Sequence, residues 1–266
     1  MSPRAGRAER RSGAVPRAVR ALGDRRATPH IDWLVRLTGA SRREAEEVLA
    51  EVGDLAPVEE EIRRAQRAAG RSMYAQIRAP FELYAITRLR RPDHVVEAGV
   101  SSGVSSAHFL LAVARNRHGR LHSIDWPTFQ RGPELGARES PVSIPPGRTS
   151  GWAIPERIKT GWDLRIGRSQ ELLPTLVREL PSVDLFLHDD LHTPAHLTFE
   201  LRTVGPKLGG GAVVLADNTA WTGQAFPRFA RRLGVPWYAR GRTDLVGLRV
   251  PRAGFPASSG AGRSGR

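Results

Sequence analysis

Residues 94–106 read His-Val-Val-Glu-Ala-Gly-Val-Ser-Ser-Gly-Val-Ser-Ser, and this stretch decides the fold. A short apolar run, 94–97, reads as a strand, and the apolar spacing of 104–116 reads as a helix. Between them Gly99 lets the chain turn sharply, and Gly103 lets the helix begin close to a ligand. A second strand is expected at 120–124, ending on Asp125. Strand, glycine turn, helix and strand make a βαβ unit, the building block of a parallel sheet.

The same rhythm continues downstream. Strands are expected at 162–166, 183–188 and 212–216, with helices at 170–179, from Thr193 and Pro194 onward, and at 224–233. Pro194 suits an early helical position, where its missing N–H costs little. Two closing strands are expected at 237–240 and 245–250. The predicted fold is therefore α/β, a doubly wound, mostly parallel seven-stranded sheet over residues 92–250. Upstream, residues 29–91 read as a helical cap. Ser41 and Glu44 have capping-box spacing, Ile62, Ala65 and Ala69 recur at helical intervals, and Pro92 ends the last helix. Residues 126–160 are rich in Pro and Gly with little periodicity, a loop long enough to expect a functional role.

Composition narrows the classes. The net charge of +14 lies mostly in two tails: eight Arg against Glu9 and Asp24 in residues 1–30, and four Arg with no acid from Arg249 onward. Segments 1–28 and 251–266 read as disordered basic tails, so nucleic acid is not the expected partner. No apolar run nears the roughly 20 residues of a membrane span. The Arg-rich N-terminus has no apolar core of a secretory signal, which points to the cytoplasm. The absence of cysteine removes thiolate ligands and nucleophiles.

Chemistry is expected at the strand ends. Four predicted strands each end in an acid: Glu97, Asp125, Asp189 (with Asp190 beside it) and Asp217. In a doubly wound sheet the carboxyl ends share one rim, and ligands bind there. Asp125 suits the two hydroxyls of a ribose. Ser101 replaces the middle glycine of Gly-x-Gly-x-x-Gly, so a pyrophosphate is poorly served. Glu97 before the turn suits a nucleoside carrying amino and sulfonium charge. Two residue-level alternatives stay open: Asp217-Asn218 as a turn cap, and His192 as an exposed residue at the start of a helix.

As a set, Val95 to Ser106, Arg120 to Asp125, Asp184 to His192 and Pro206 to Asn218 resemble the class I S-adenosylmethionine-dependent methyltransferases. More narrowly, they are similar to the metal-dependent O-methyltransferases of the "methyltransferase 24" type. The resemblance implies that Glu97, Gly99, Ser101, Gly103 and Ser105 line the methionine end of the cofactor and that Asp125 holds its ribose. It implies Ser169 and His188 near the adenine, although Arg168-Ser169 stands where an acid is common. Asp189, Asp217 and Asn218 would hold a divalent metal of the Mg²⁺ type, with Asp189 or Asp190 as the ligand from that strand. His192, assisted by Asp189, would be the catalytic base, and a small-molecule hydroxyl the acceptor. A nucleotide-cofactor oxidoreductase and a non-catalytic cofactor-binding module with nucleic-acid-binding tails are the alternatives. A homo-oligomer is left open.

Overall fold

The computed structural model describes residues 30–70, 77–126, 144–145, 147–241 and 244–251. The segment expected as a tail at 1–28, all of the second tail but Pro251, and much of the 126–160 segment lie outside them. Among the described residues four α-helices precede the sheet: α1 (Ile31–Thr38), α2 (Arg42–Ala50), α3 (Ala56–Ala68) and α4 (Pro80–Arg90). The Ser41–Glu44 capping box opens α2. Then follow β1 (His94–Ala98), α5 (Val104–Asn116), β2 (Arg120–Asp125), β3 (Asp163–Ile166), α6 (Ser169–Glu179), β4 (Val183–His188), α7 (Pro194–Val204), β5 (Leu208–Ala216), α8 (Ala225–Leu233), β6 (Trp237–Ala239) and β7 (Val246–Arg249).

The strands form one seven-stranded sheet in the order β3-β2-β1-β4-β5-β7-β6. All neighbours are parallel except β7, which runs antiparallel to both β5 and β6. The order reverses between β1 and β4, so their carboxyl ends open a crevice where such sheets bind ligands.

Alternate residues on each strand face opposite sides, and both sides are covered. Val95, Leu121, Leu185, Leu187, Val213 and Leu215 pack with the N-terminal helices and α5. Val96, Ala98, Ile124, Phe186, Val214 and Ala216 pack with α6, α7 and α8. Burial on both faces explains why the strands read as unbroken apolar runs. Polar ties hold the N-terminal helices to the sheet: Glu82 accepts a 2.5 Å hydrogen bond from Arg240, both buried, and Arg90 donates to the carbonyls of Thr38 and Gly211. Among the described residues no helix is long and apolar enough to cross a membrane.

Most expected boundaries shift by at most a single residue, and the largest difference is at β5. β5 begins at Leu208, not at 212, taking in Gly209, Gly210 and Gly211. Its pairing with β4 shifts register between Val183 and Leu185. Gly211 has φ 87, and an added Cβ there would lie 2.6 Å from the Arg90 guanidinium. The glycines therefore admit an arginine beside the strand rather than delay it.

Candidate active site

The turn after β1 is built on two left-handed residues, Gly99 (φ 94) and Gly103 (φ 95), with Ser101 (φ 51) between them. A Cβ at Gly99 would lie 1.9 Å from the carbonyl oxygen of Asp189, so this loop and the one after β4 touch backbone to backbone. The Asp189 N–H donates to Ala98 O at 2.8 Å, and the Asp217 N–H donates to His188 O at 2.9 Å. These bonds bring Glu97, Asp125, Asp189 and Asp217 to one rim.

Glu97 is fully buried. Its Oε2 accepts hydrogen bonds from Ser106 Oγ at 2.6 Å and Ser123 Oγ at 2.7 Å, and the nearby Ser105 hydroxyl also favours the charged form of the carboxyl. Burial pushes its carboxyl up to about 7, and the nearby charge of Asp189 adds to the effect. Its Oε1 and the Ser101 hydroxyl are both buried without a hydrogen-bond partner. Unpaired buried polar atoms are costly, and here two of them sit at the glycine turn, where a ligand with donor groups would satisfy them.

Asp125 accepts from the Val100 and Ser101 N–H groups, each at 3.2 Å, and from the Ser150 hydroxyl. Burial pushes this carboxyl above the usual range, and Asp190 adds to the rise. The segment carrying Ser150 is laced to the turn: Gly151 N–H donates to Ser101 O at 2.8 Å, and Ala153 N–H to Ser102 O at 3.1 Å. From the other side the Gln66 amide of α3 donates to Ser102 Oγ at 3.1 Å. Neither Ser150 nor Gln66 was singled out from sequence; they arrive from a stretch without periodicity and from a helix whose face is set by packing.

The second half of the rim is arranged differently. His192 Nε2 lies 3.4 Å from Asp189 Oδ1 and 3.3 Å from the Asn218 amide nitrogen. Its ring meets Trp221 edge to face, with centroids 5.8 Å apart. His192 precedes α7, which starts at Pro194, and its side chain is 11% exposed, so it is not the solvent-facing helix residue of the alternative. Asp217 is buried, and that burial together with the charge of Asp189 pushes its carboxyl up to about 7. Asn218 holds φ 51, a left-handed conformation that asparagine tolerates.

Asp189 and Asp190 diverge. Asp189 faces His192 and Asp217, whereas Asp190 Oδ2 turns to Ser169 Oγ at 2.5 Å and His196 Nε2 at 3.3 Å. Ser169 is thus engaged with Asp190, and His188 is fully buried with Nδ1 2.5 Å from Glu200 Oε2. Burial opposes ionisation of Asp190, but His196 and Ser169 bring its carboxyl below the usual range. Burial likewise opposes charge on His196, yet Asp190 and Glu200 push it up to about 10. The His196–Glu200 spacing of four on one helix was the available sequence signal for this cluster. Arg168 stacks over Trp126, 4.1 Å from its centroid.

Residues 96–219 match the sequence model of a methyltransferase domain family. The fold is shared with a putative O-methyltransferase from Klebsiella pneumoniae, at 16% identity, TM-score 0.52, 73% of this chain and 90% of that one. It is shared also with a methyltransferase from Geobacter sulfurreducens, at 18% identity, TM-score 0.50, and the same 73% and 90% coverage. No curated protein sequence matches the chain. The strand order, the glycine turn and the family match define a class I methyltransferase. Residues 96–219, just under half of the chain, thus match a methyltransferase domain of the methyltransferase 24 type, which favours a methyltransferase over the oxidoreductase alternative.

Proposed function

We propose that this enzyme methylates a hydroxyl oxygen of a small molecule, with a divalent cation of the Mg²⁺ type held by Asp189, Asp217 and Asn218. What supports this is the pairing of two carboxylates, Asp189 and Asp217, beside His192 and Asn218 on a rim otherwise built for a nucleoside. A buried Asp217 carboxyl whose proton affinity is raised by burial and by the Asp189 charge beside it suits a hard cation, and the amide oxygen of Asn218 adds a neutral ligand.

The donor residues also fit the cofactor. The unpaired Glu97 Oε1 and Ser101 hydroxyl are acceptors for the amino end of the methionine moiety, with Ser105 supporting Glu97. Gly99 and Gly103 keep the turn open, and Asp125 is the acceptor for the ribose hydroxyls. Ser169 and His188 act one step back, Ser169 through Asp190 and His188 through Glu200.

When bound, the cofactor supplies a methyl group on a sulfonium and the cation supplies a Lewis acid for the acceptor oxygen. The chain's task is alignment, because displacement at a methyl carbon demands an in-line approach. His192 takes the hydroxyl proton on Nε2, with Asp189 at 3.4 Å favouring the imidazolium that forms. Trp221, against the His192 ring, is positioned to border an apolar acceptor.

Calorimetry with S-adenosylhomocysteine on the full chain tests the cofactor part, and no heat at high protein concentration defeats it. Methyl transfer to a panel of phenols and sugars, with Mg²⁺ and with chelator, tests the rest. His192→Ala is expected to slow turnover by about a hundredfold or more, the usual scale of general-base catalysis. A loss below about tenfold removes His192 from that role.

A further inference from the structure

Beyond the rim, the described structure brings Asp190, His196 and Glu200 together with their ligand atoms all within 4.8 Å of one another. We infer that these three residues form a second cation site, for a divalent transition-metal ion of the Zn²⁺ or Mn²⁺ class. It is separate from the Asp189–Asp217 pair and independent of the methyl-transfer proposal.

His196 Nε2 is the centre of the cluster. It lies 3.3 Å from Asp190 Oδ2, 3.2 Å from Glu200 Oε1 and 3.1 Å from Ser169 Oγ. One nitrogen faces three oxygens, more than a single N–H serves well. Ligand atoms about 2.0–2.2 Å from a metal ion stand about 3 to 3.5 Å from each other, which is the spacing of His196 Nε2 from each carboxylate, while all three ligand atoms lie within 4.8 Å. One imidazole with two carboxylates is a borderline donor set that favours a transition ion over Mg²⁺ or Ca²⁺. Two carboxylates also match the charge of a divalent ion.

The surroundings resemble those of built metal sites, in which each ligand is held by a partner behind it. Glu200 Oε2 is 2.5 Å from His188 Nδ1. Asp190 Oδ2 accepts from Ser169 Oγ at 2.5 Å. His196 Nδ1 is 3.0 Å from the Gln170 side-chain amide. The Gln170 amide nitrogen faces Nδ1 and can donate to it, so a metal at Nε2 would displace the proton that the imidazole carries there. His196 and Glu200 are buried to within 3% of full, while the Asp190 side chain is 25% exposed and gives a way in. Such an ion would staple one face of α7 to the loop after β4, with Ser169 at the start of α6 tied in through Asp190, fixing the backbone that presents Asp189.

The test uses the full chain carrying Asp217→Asn, so that the rim pair no longer contributes, stripped with chelator and titrated with Co²⁺. Stoichiometric Co²⁺ binding with a visible absorption band, displaced by Zn²⁺ and accompanied by a higher unfolding midpoint, is the expected result. His196→Gln in that background should abolish the band. Asp190→Asn, a milder change at the exposed mouth, should weaken binding roughly tenfold or more. Absence of stoichiometric binding in the Asp217→Asn chain overturns the inference. So does Co²⁺ affinity that Asp190→Asn leaves unchanged, which settles the matter even if His196→Gln does not fold.

Discussion

At the ends of β1 and β2 the rim carboxylates are met by neutral donors: three serine hydroxyls at Glu97, and two backbone N–H groups with a fourth hydroxyl at Asp125. At the ends of β4 and β5 they are met by each other, by His192 and by Asn218. All four carboxylates share one edge, yet the two halves handle negative charge differently. Neutral donors hold a carboxylate as an acceptor without cancelling its charge, which suits hydroxyl and amine groups on a ligand. Facing carboxylates call for a cation. The difference follows from what surrounds each strand end: serines from α5, β2 and the Ser150 segment on one side, the paired loops after β4 and β5 on the other.

The sharpest way to break this contrast is Asp217→Ala. Turnover should fall by at least about a hundredfold, in line with the several kcal/mol attributed to a Lewis-acid contact, while cofactor affinity stays nearly unchanged. Steady-state rates beside calorimetry check it, and a parallel loss of cofactor binding would merge the two halves. Asp125→Asn should show the converse. Weaker charge-assisted bonds to the ribose predict cofactor binding reduced about tenfold or more, with turnover at saturating cofactor little changed.

A third difference appears in pH dependence. The Glu97 carboxyl sits at about 7 in the fold against an ordinary 4.5. Because the folded state holds that proton more tightly, its contribution is fully present below about 4.5, declines as pH rises, and is gone above about 7. Glu97→Gln should therefore remove one downward component of stability between pH 5 and pH 8. Denaturant midpoints of both proteins at the two pH values measure it, and identical slopes would mean Glu97 is ionised throughout. The smallest effect is expected from Ser150→Ala. Its hydroxyl occupies an acceptor position on Asp125, so removing it should tighten cofactor binding by no more than a few-fold. Weaker binding in calorimetry would make Ser150 a supporting residue rather than a competitor.

Much of this architecture was readable in the sequence, for a physical reason. Strands buried on both faces write themselves as apolar runs, and glycine turns mark where each run gives way to a helix, so the helix at Val104–Asn116 and the acids at the strand ends could be placed. Direction was harder to read. Asp189 and Asp190 are neighbours in sequence, but the loop after β4 sends one to His192 and the other to His196, a choice made by contacts with α6 and α7. Gln66 and Ser150 reach the glycine turn and Asp125 from segments distant in the chain, and nothing local announces such meetings. His196 and Glu200 carried a local hint in their spacing, but their third partner, Asp190, is brought to them by tertiary packing.

Gly99 ties the two halves into one mechanical unit. Its missing side chain leaves only 1.9 Å between the position a methyl would take and the Asp189 carbonyl oxygen, so no soft layer separates the loops. A displacement at the donor side passes directly to the acid side, much as a shim lifts both leaves of a closed book. An alanine there would damage the enzyme by wedging the sheet edge apart, altering the distance over which the methyl group must travel even with every ligand-binding side chain intact.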